Sequence, residues 1–266
     1  MSLPEPRKGA AALVTGASAG IGDALARELA GRGHDLVVVA RRKPRLDALA
    51  KELNETHGVR VEVLGCDLAS ATSRSRLAGR IASLDLEIDV LINNAGFATG
   101  GRFDESDPER EVEQVRVLCE APVALTSAFL PGMIERKEGA ILNVASTAAF
   151  QPLPYSTGYS AAKAHQLAFS EALHGEVSGR GITVTALCPG PVKTEFWEVA
   201  GDQPIEATVP DLVWVTPEQC AKAAVDGIAK GERVVVPGLP VKAGFSLMRM
   251  LPNALKIPAA ERMMRP

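Results

Sequence analysis

Seven short aliphatic runs, at residues 10–15, 35–40, 60–66, 89–93, 140–145, 182–188 and 233–236, alternate with longer helical patterns, and this constrains the fold more than any other feature. Most of the runs are continuously apolar instead of alternating, as strands are when a parallel sheet is covered on both faces. Between them, helices are predicted over 21–33, 44–56, 71–84, 108–136, 157–179 and 217–230. Strand–helix alternation from end to end predicts an α/β fold: a doubly wound, seven-stranded, mostly parallel sheet with helices on both faces. No Pro/Gly/Ser-rich linker divides the 266 residues and no repeat is evident, so one domain over 1–266 is expected. Two segments interrupt the pattern. Residues 189–216 form a long Pro-containing stretch of the kind that serves as a lid or binding loop. Residues 237–266 form an apolar and basic tail, expected to pack against the body or a second copy, with a membrane surface as the alternative.

Composition removes several classes of function. Lys and Arg number 29 against 32 Asp and Glu, a formal net charge of −3, so no basic field for nucleic acid is expected. Cys66, Cys119, Cys188 and Cys220 form no Cys-x-x-Cys pair, which argues against a metal cluster or a disulfide framework and for a reducing compartment. The four histidines, His34, His57, His165 and His174, show no ligand spacing. Residues 1–8 lack an apolar stretch, and the longest uncharged segment, 139–162, contains two prolines; neither reads as a leader or a membrane span. The expectation is a cytoplasmic protein that needs no metal.

The first run leads into Thr15-Gly16-Ala-Ser18-Ala-Gly20-Ile21-Gly22, and a helix follows. Glycines at a strand-to-helix turn let the backbone approach a pyrophosphate, for which the helix N-terminus offers free N–H groups. The spacing here is G-x-x-x-G-x-G, and glycines alone also serve ordinary tight turns, but the position after the first strand favours a nucleotide. The second strand ends in Arg41-Arg42, where a carboxylate would select a free ribose 2′-hydroxyl. Guanidinium groups match a phosphate and stay charged, so this position favours NADP(H). Asp67, followed by Leu68, stands past the third strand, placed either to accept from an adenine amino group or to cap the next helix.

Further on come Asn93-Asn94-Ala95-Gly96 after the fourth strand, Ser146 after the fifth, Tyr159-Ser-Ala-Ala-Lys163 near a helix start, and Pro189-Gly190 with Val192 and Thr194. In this order and spacing, over residues 15–194, the chain resembles the short-chain dehydrogenase/reductase family in its compact, single-domain branch. The resemblance implies a Rossmann fold, nicotinamide-dependent oxidoreduction and a homodimer or homotetramer. It also implies cofactor contacts at Gly16, Ser18, Gly20, Ile21, Asp67, Leu68, Asn93, Ala95 and Gly96. Lys163 is implied to hold the nicotinamide ribose, with Val192 and Thr194 at the carboxamide beside Pro189.

The chemistry also follows from the residues. Tyr159 and Lys163 are four apart and project from one helix face. A phenol is a poor base at neutral pH, and a neighbouring ammonium is expected to bring its pKa down. Ser146 is placed to hydrogen-bond a substrate oxygen while Tyr159 exchanges a proton with it. The second tyrosine, Tyr155, has Tyr159 and not lysine at i+4, and suits the substrate cavity better.

One departure stands out. The family usually carries a catalytic asparagine in the helix after the fourth strand, and alignment through 119–126 places Leu118 there; no Asn occurs between Asn94 and Asn143. Leucine cannot hold a water by hydrogen bonding, so Glu120 or Gln114 is expected to compensate, or turnover is slow. Phe97, Ala148, Phe150, Leu153, Tyr155, Phe196, Trp197 and Trp214 are the substrate-facing candidates by position, and their character suggests an uncharged, hydrophobic carbonyl or alcohol. Two other readings stand beside this one: an impaired NADP(H)-binding regulator, suggested by Leu118, and a membrane-peripheral lipid carbonyl reductase, suggested by the tail.

Overall fold

The computed structural model describes residues 3–196, 213–238, 241–242 and 251–265. Seven strands form one sheet in the order β3-β2-β1-β4-β5-β6-β7, and every neighbouring pair is parallel. They are β1 (Ala10–Thr15), β2 (Leu36–Ala40), β3 (Val61–Gly65), β4 (Glu87–Asn93), β5 (Gly139–Val144), β6 (Ile182–Leu187) and β7 (Val234–Val235). The helices are α1 (Gly20–Gly31), α2 (Lys43–His57), α3 (Ala71–Ala82), α4 (Pro108–Val115), α5 (Ala121–Arg136), α6 (Thr157–Val177), α7 (Pro217–Ala229) and α8 (Asn253–Met264).

The strands are apolar throughout because both faces are covered. On one face Val14, Val38 and Val90 pack with Leu25, Leu29, Leu46 and Ile228 of α1, α2 and α7. On the other, Leu13, Val37 and Leu91 pack with Leu77, Leu125, Met133 and Leu173 of α3, α5 and α6. Successive strand residues point to opposite faces, so each run feeds two cores at once.

The stretch predicted as a single helix over 108–136 is not one α-helix. A π-helical turn, Arg116–Glu120, separates α4 from α5. Pro122 has no N–H to give to the Leu118 carbonyl one turn back, and its ring crowds that carbonyl; the wider turn relieves both.

The strand order reverses direction at β1, whose neighbours are β2 and β4. A crevice at the carboxyl ends of strands on either side of such a switch is where open α/β sheets bind ligands. Side chains lash it together. Thr15 Oγ1 donates to the Ile92 carbonyl and accepts from the backbone N–H of Asn94 and Ala95, and Asn94 Nδ2 donates to the Thr15 carbonyl at 2.9 Å.

Candidate active site

A cavity of about 630 Å³ opens at this switch point. Its first end is built from backbone. Gly16 sits at φ +69°, and a Cβ there would lie 2.8 Å from the Ala95 Cα, so only glycine fits. Helix α1 begins after Ala19 with no side chain capping its first amides. Free N–H groups and the helix dipole suit an anion. Gly20, Ile21, Ala95, Gly96, Asp67 and Leu68 line this end with Ser18, Arg41 and Arg42. Helix α3 is capped by Ser70, which accepts from Ser73, so its N-cap is not Asp67. Asp67 instead accepts from the Ala69 N–H with one carboxylate oxygen and faces the cavity.

Both arginines are paired with carboxylates. Arg42 donates to Ser18 Oγ at 3.3 Å and to Glu195 at 2.9 Å, while Arg45 grips the same Glu195 at 2.7 Å. Arg41 reaches Glu113 at 3.2 Å. These guanidinium groups already hold oxyanions, and with the bare glycine turn and the uncapped α1 they fit a phosphorylated dinucleotide.

The middle of the cavity carries Ser146, Tyr159 and Lys163. Ser146 caps the 3₁₀ turn Thr147–Phe150, accepting from the Ala148 N–H at 3.1 Å. Tyr159 and Lys163 stand one turn apart on α6, with Lys163 Nζ 5.6 Å from the Tyr159 ring centre. Lys163 Nζ donates to the Val144 carbonyl at 2.6 Å and to Gln166 Oε1 at 2.8 Å. Burial dominates both titrations. It pushes the Tyr159 phenol up to about 12, partly offset by its hydrogen bond with Ser146, and pulls the Lys163 ammonium down to about 7. The expected lowering of the tyrosine pKa by lysine is therefore not present in the protein alone: taking each group out of water favours its neutral form more than the pair favours charge.

The other expected residues divide. Pro189, Val192 and Thr194 line the cavity, as do Phe97, Ala148, Leu153 and Phe196, whose ring lies 5.6 Å from that of Tyr159. Four expectations do not hold. Asn93 turns away into the sheet, donating to Asn143 Oδ1 at 2.8 Å; adjacent strand residues face opposite sides, and it is Asn94 that faces the cavity. Phe150 packs beside Ala145, Leu167 and Cys188, carried off the cavity wall by the 3₁₀ turn. Tyr155, at φ +63°, sits in a tight turn whose carbonyl accepts from Gly101 and is not among the lining residues. Trp197 lies outside the described residues, and Trp214 does not line the cavity but packs under Lys193.

Neither of the polar groups expected to compensate for Leu118 lines the cavity. Glu120 pairs with Arg74, and Gln114 Nε2 donates to Thr99 Oγ1 at 2.9 Å. Leu118 itself is fully buried, and a Cβ on Gly96 would meet its Cδ2 at 2.6 Å. Residues that sequence reasoning missed include Gln151, Ser156, Glu195, and Met263 and Met264, which α8 brings to the cavity from the chain's end. Among the described residues no group of three His, Cys, Asp or Glu side chains can hold a metal.

Comparison with known proteins gives a consistent picture. The short chain dehydrogenase family profile matches residues 10–204. A very-long-chain 3-oxoacyl-CoA reductase of Anas platyrhynchos is 36% identical over 226 residues, covering 83% of this chain and 69% of that protein. A short-chain dehydrogenase from Sphingobium yanoikuyae, solved with NADPH, is 37% identical with a TM-score of 0.82, over 90% of this chain and 91% of that one. A bulky-bulky ketone specific alcohol dehydrogenase from Comamonas testosteroni is 31% identical with a TM-score of 0.76, over 92% and 96% of the two chains.

Proposed function

Because this chain belongs to the short-chain dehydrogenase family, and so to the oxidoreductases that act on carbonyls and alcohols with a nicotinamide dinucleotide, we propose that it uses NADP(H) on an uncharged, hydrophobic substrate with Tyr159 as its acid–base group. The observation that carries this reading is one cavity holding Ser146, Tyr159 and Lys163 beside an arginine-bearing glycine cradle. Gly16, Gly20 and the α1 amides would hold the pyrophosphate, and Ser18, Arg41 and Arg42 the 2′-phosphate. Lys163 would hold the ribose, and Val192 with Thr194 the carboxamide. When bound, the dinucleotide supplies or accepts the hydride.

The chain's own residues handle the oxygen and its proton. Ser146 and Tyr159 hydroxyls hold the substrate oxygen; Tyr159 gives it a proton in reduction and takes one back in oxidation. A phenol held neutral well above pH 7 is in the right form to donate, which favours carbonyl reduction at neutral pH. Apart from Lys163, the charged residues among the described lining side chains are Arg41, Arg42, Asp67 and Glu195, the first three at the nucleotide end and Glu195 bound to Arg42. The remainder, with Phe97, Leu153, Phe196, Met263 and Met264, offers apolar surface, which supports a bulky uncharged ketone or aldehyde.

The test is oxidation of NADPH, with NADH in parallel, across a panel of hydrophobic ketones and aldehydes. Substrate-dependent turnover that favours NADPH is the expected result. No turnover across the panel, in a protein shown to bind NADPH, would overturn the catalytic reading. It would favour the nucleotide-binding regulator that Leu118 suggests.

A further inference from the structure

Lys163 is an ammonium in a place where little keeps it charged. Among the described residues, the titratable groups that influence it are the Cys188 thiol at the end of β6 and the Cys119 thiol in the π-turn, with Tyr159 one turn away on its own helix; no carboxylate is among them. Burial pushes the Cys119 thiol up, so it supplies no counter-charge at neutral pH. Residue 118 contributes only apolar surface, Glu120 is paired with Arg74, and neither Glu120 nor Gln114 lines the cavity that holds Lys163. What Lys163 does have is two neutral acceptors: the Val144 carbonyl and Gln166 Oε1.

We propose that Gln166 is a positioning residue for the acid–base pair, its side-chain carbonyl holding the Lys163 ammonium in the position and charge state from which it serves Tyr159 and the cofactor. The inference rests on the reading above that Tyr159 and Lys163 carry the chemistry. Gln166 stands three residues beyond Lys163 on the same face of α6 and is 1% exposed. An ammonium has three donors; two are used here, which leaves one for the cavity. The backbone of Gln166 is tied to the sheet. Its backbone carbonyl accepts from Ser170 Oγ at 2.6 Å, Ser170 accepts from Asn143 at 2.8 Å, and Asn143 accepts from Asn93 at 2.8 Å. The stretch of α6 backbone that carries Gln166 is thus tied to β5 and β4. A dipole aimed at the ammonium favours the charged form, opposing the burial that would discharge it. This is a different device from a water held by an asparagine at position 118.

The test needs neither substrate nor cofactor. Protein labelled with ε-¹³C lysine is titrated by NMR, and the Lys163 signal is identified by its loss in Lys163→Arg. One lysine is expected to titrate near 7, far below the others. Gln166→Leu lowers that midpoint by about one unit, since a hydrogen bond to the charged form is lost. Gln166→Glu raises it by about 1–3 units, since an anion takes the amide's place. A merely structural role for Gln166 would not give opposite shifts. If Gln166→Leu does not fold, Gln166→Glu decides alone: a raised midpoint supports the proposal. A Lys163 midpoint unmoved in folded Gln166→Glu overturns it. NADPH binding, measured separately by fluorescence, tells a failure of this proposal from a failure of the cofactor reading.

Discussion

The two ends of the cavity are made by different means. The nucleotide end is mostly backbone: a glycine at φ +69°, an uncapped helix start and two lashed strand ends, all close in sequence to β1 or β4. The substrate end is mostly side chains gathered from distant segments, with Phe97 after β4, Leu153 before α6, Phe196 after β6 and Met263 and Met264 from α8. Backbone geometry tolerates almost no substitution, whereas a wall of separate side chains can be changed piecemeal. On the proposed reading, the nucleotide end fixes the cofactor and the substrate end fixes what it acts on.

The sharpest way to break this contrast is at Gly16. Valine there would need a left-handed backbone and a Cβ inside van der Waals reach of Ala95. NADPH affinity, read by fluorescence titration, is expected to fall by about two orders of magnitude or more. Retained binding would mean that the cradle is not built from the backbone at all. A smaller, selective effect is expected at Arg42. Alanine should weaken NADPH by about 10–100-fold, the worth of a charge-assisted hydrogen bond, and leave NADH nearly unchanged. The partner change Glu195→Gln should strengthen NADPH slightly, since it removes the carboxylate now held by Arg42 and Arg45. Equal losses for the two cofactors in Arg42→Ala would take the 2′-phosphate away from this site. The other end gives an effect on a different quantity. Replacing Met263 and Met264 with alanine should raise KM for bulky ketones by about tenfold, through lost apolar contact, without moving NADPH affinity. A change in NADPH affinity there would erase the distinction between the two ends.

The same division explains what could be read in the sequence. That the glycines, Arg41-Arg42 and Tyr159 with Lys163 line one cavity was legible because each group lies within a single turn or helix, where spacing fixes geometry. Asn93 and Asn94 were not separable, because a strand alternates faces and nothing in the pair says which one faces in. Phe150 and Tyr155 were misplaced because the 3₁₀ turn and a positive φ between Ser146 and α6 redirect them. Met263, Met264 and Glu195 reach the cavity through tertiary packing, which has no local signature. Two signals were present but unused. Pro122 foretold the π-turn in the helix over 108–136, and Gln166 is a polar residue on a buried face of α6.

The most direct test of the account is Tyr159→Phe, assayed with NADPH and the best ketone of the panel. Removing the hydroxyl takes away the proton donor and leaves the nucleotide end untouched. Turnover is expected to fall by about 10²–10⁴-fold, with NADPH affinity unchanged. Comparable turnover in the mutant and the wild type would contradict the assignment of Tyr159, and with it the proposed chemistry of the cavity.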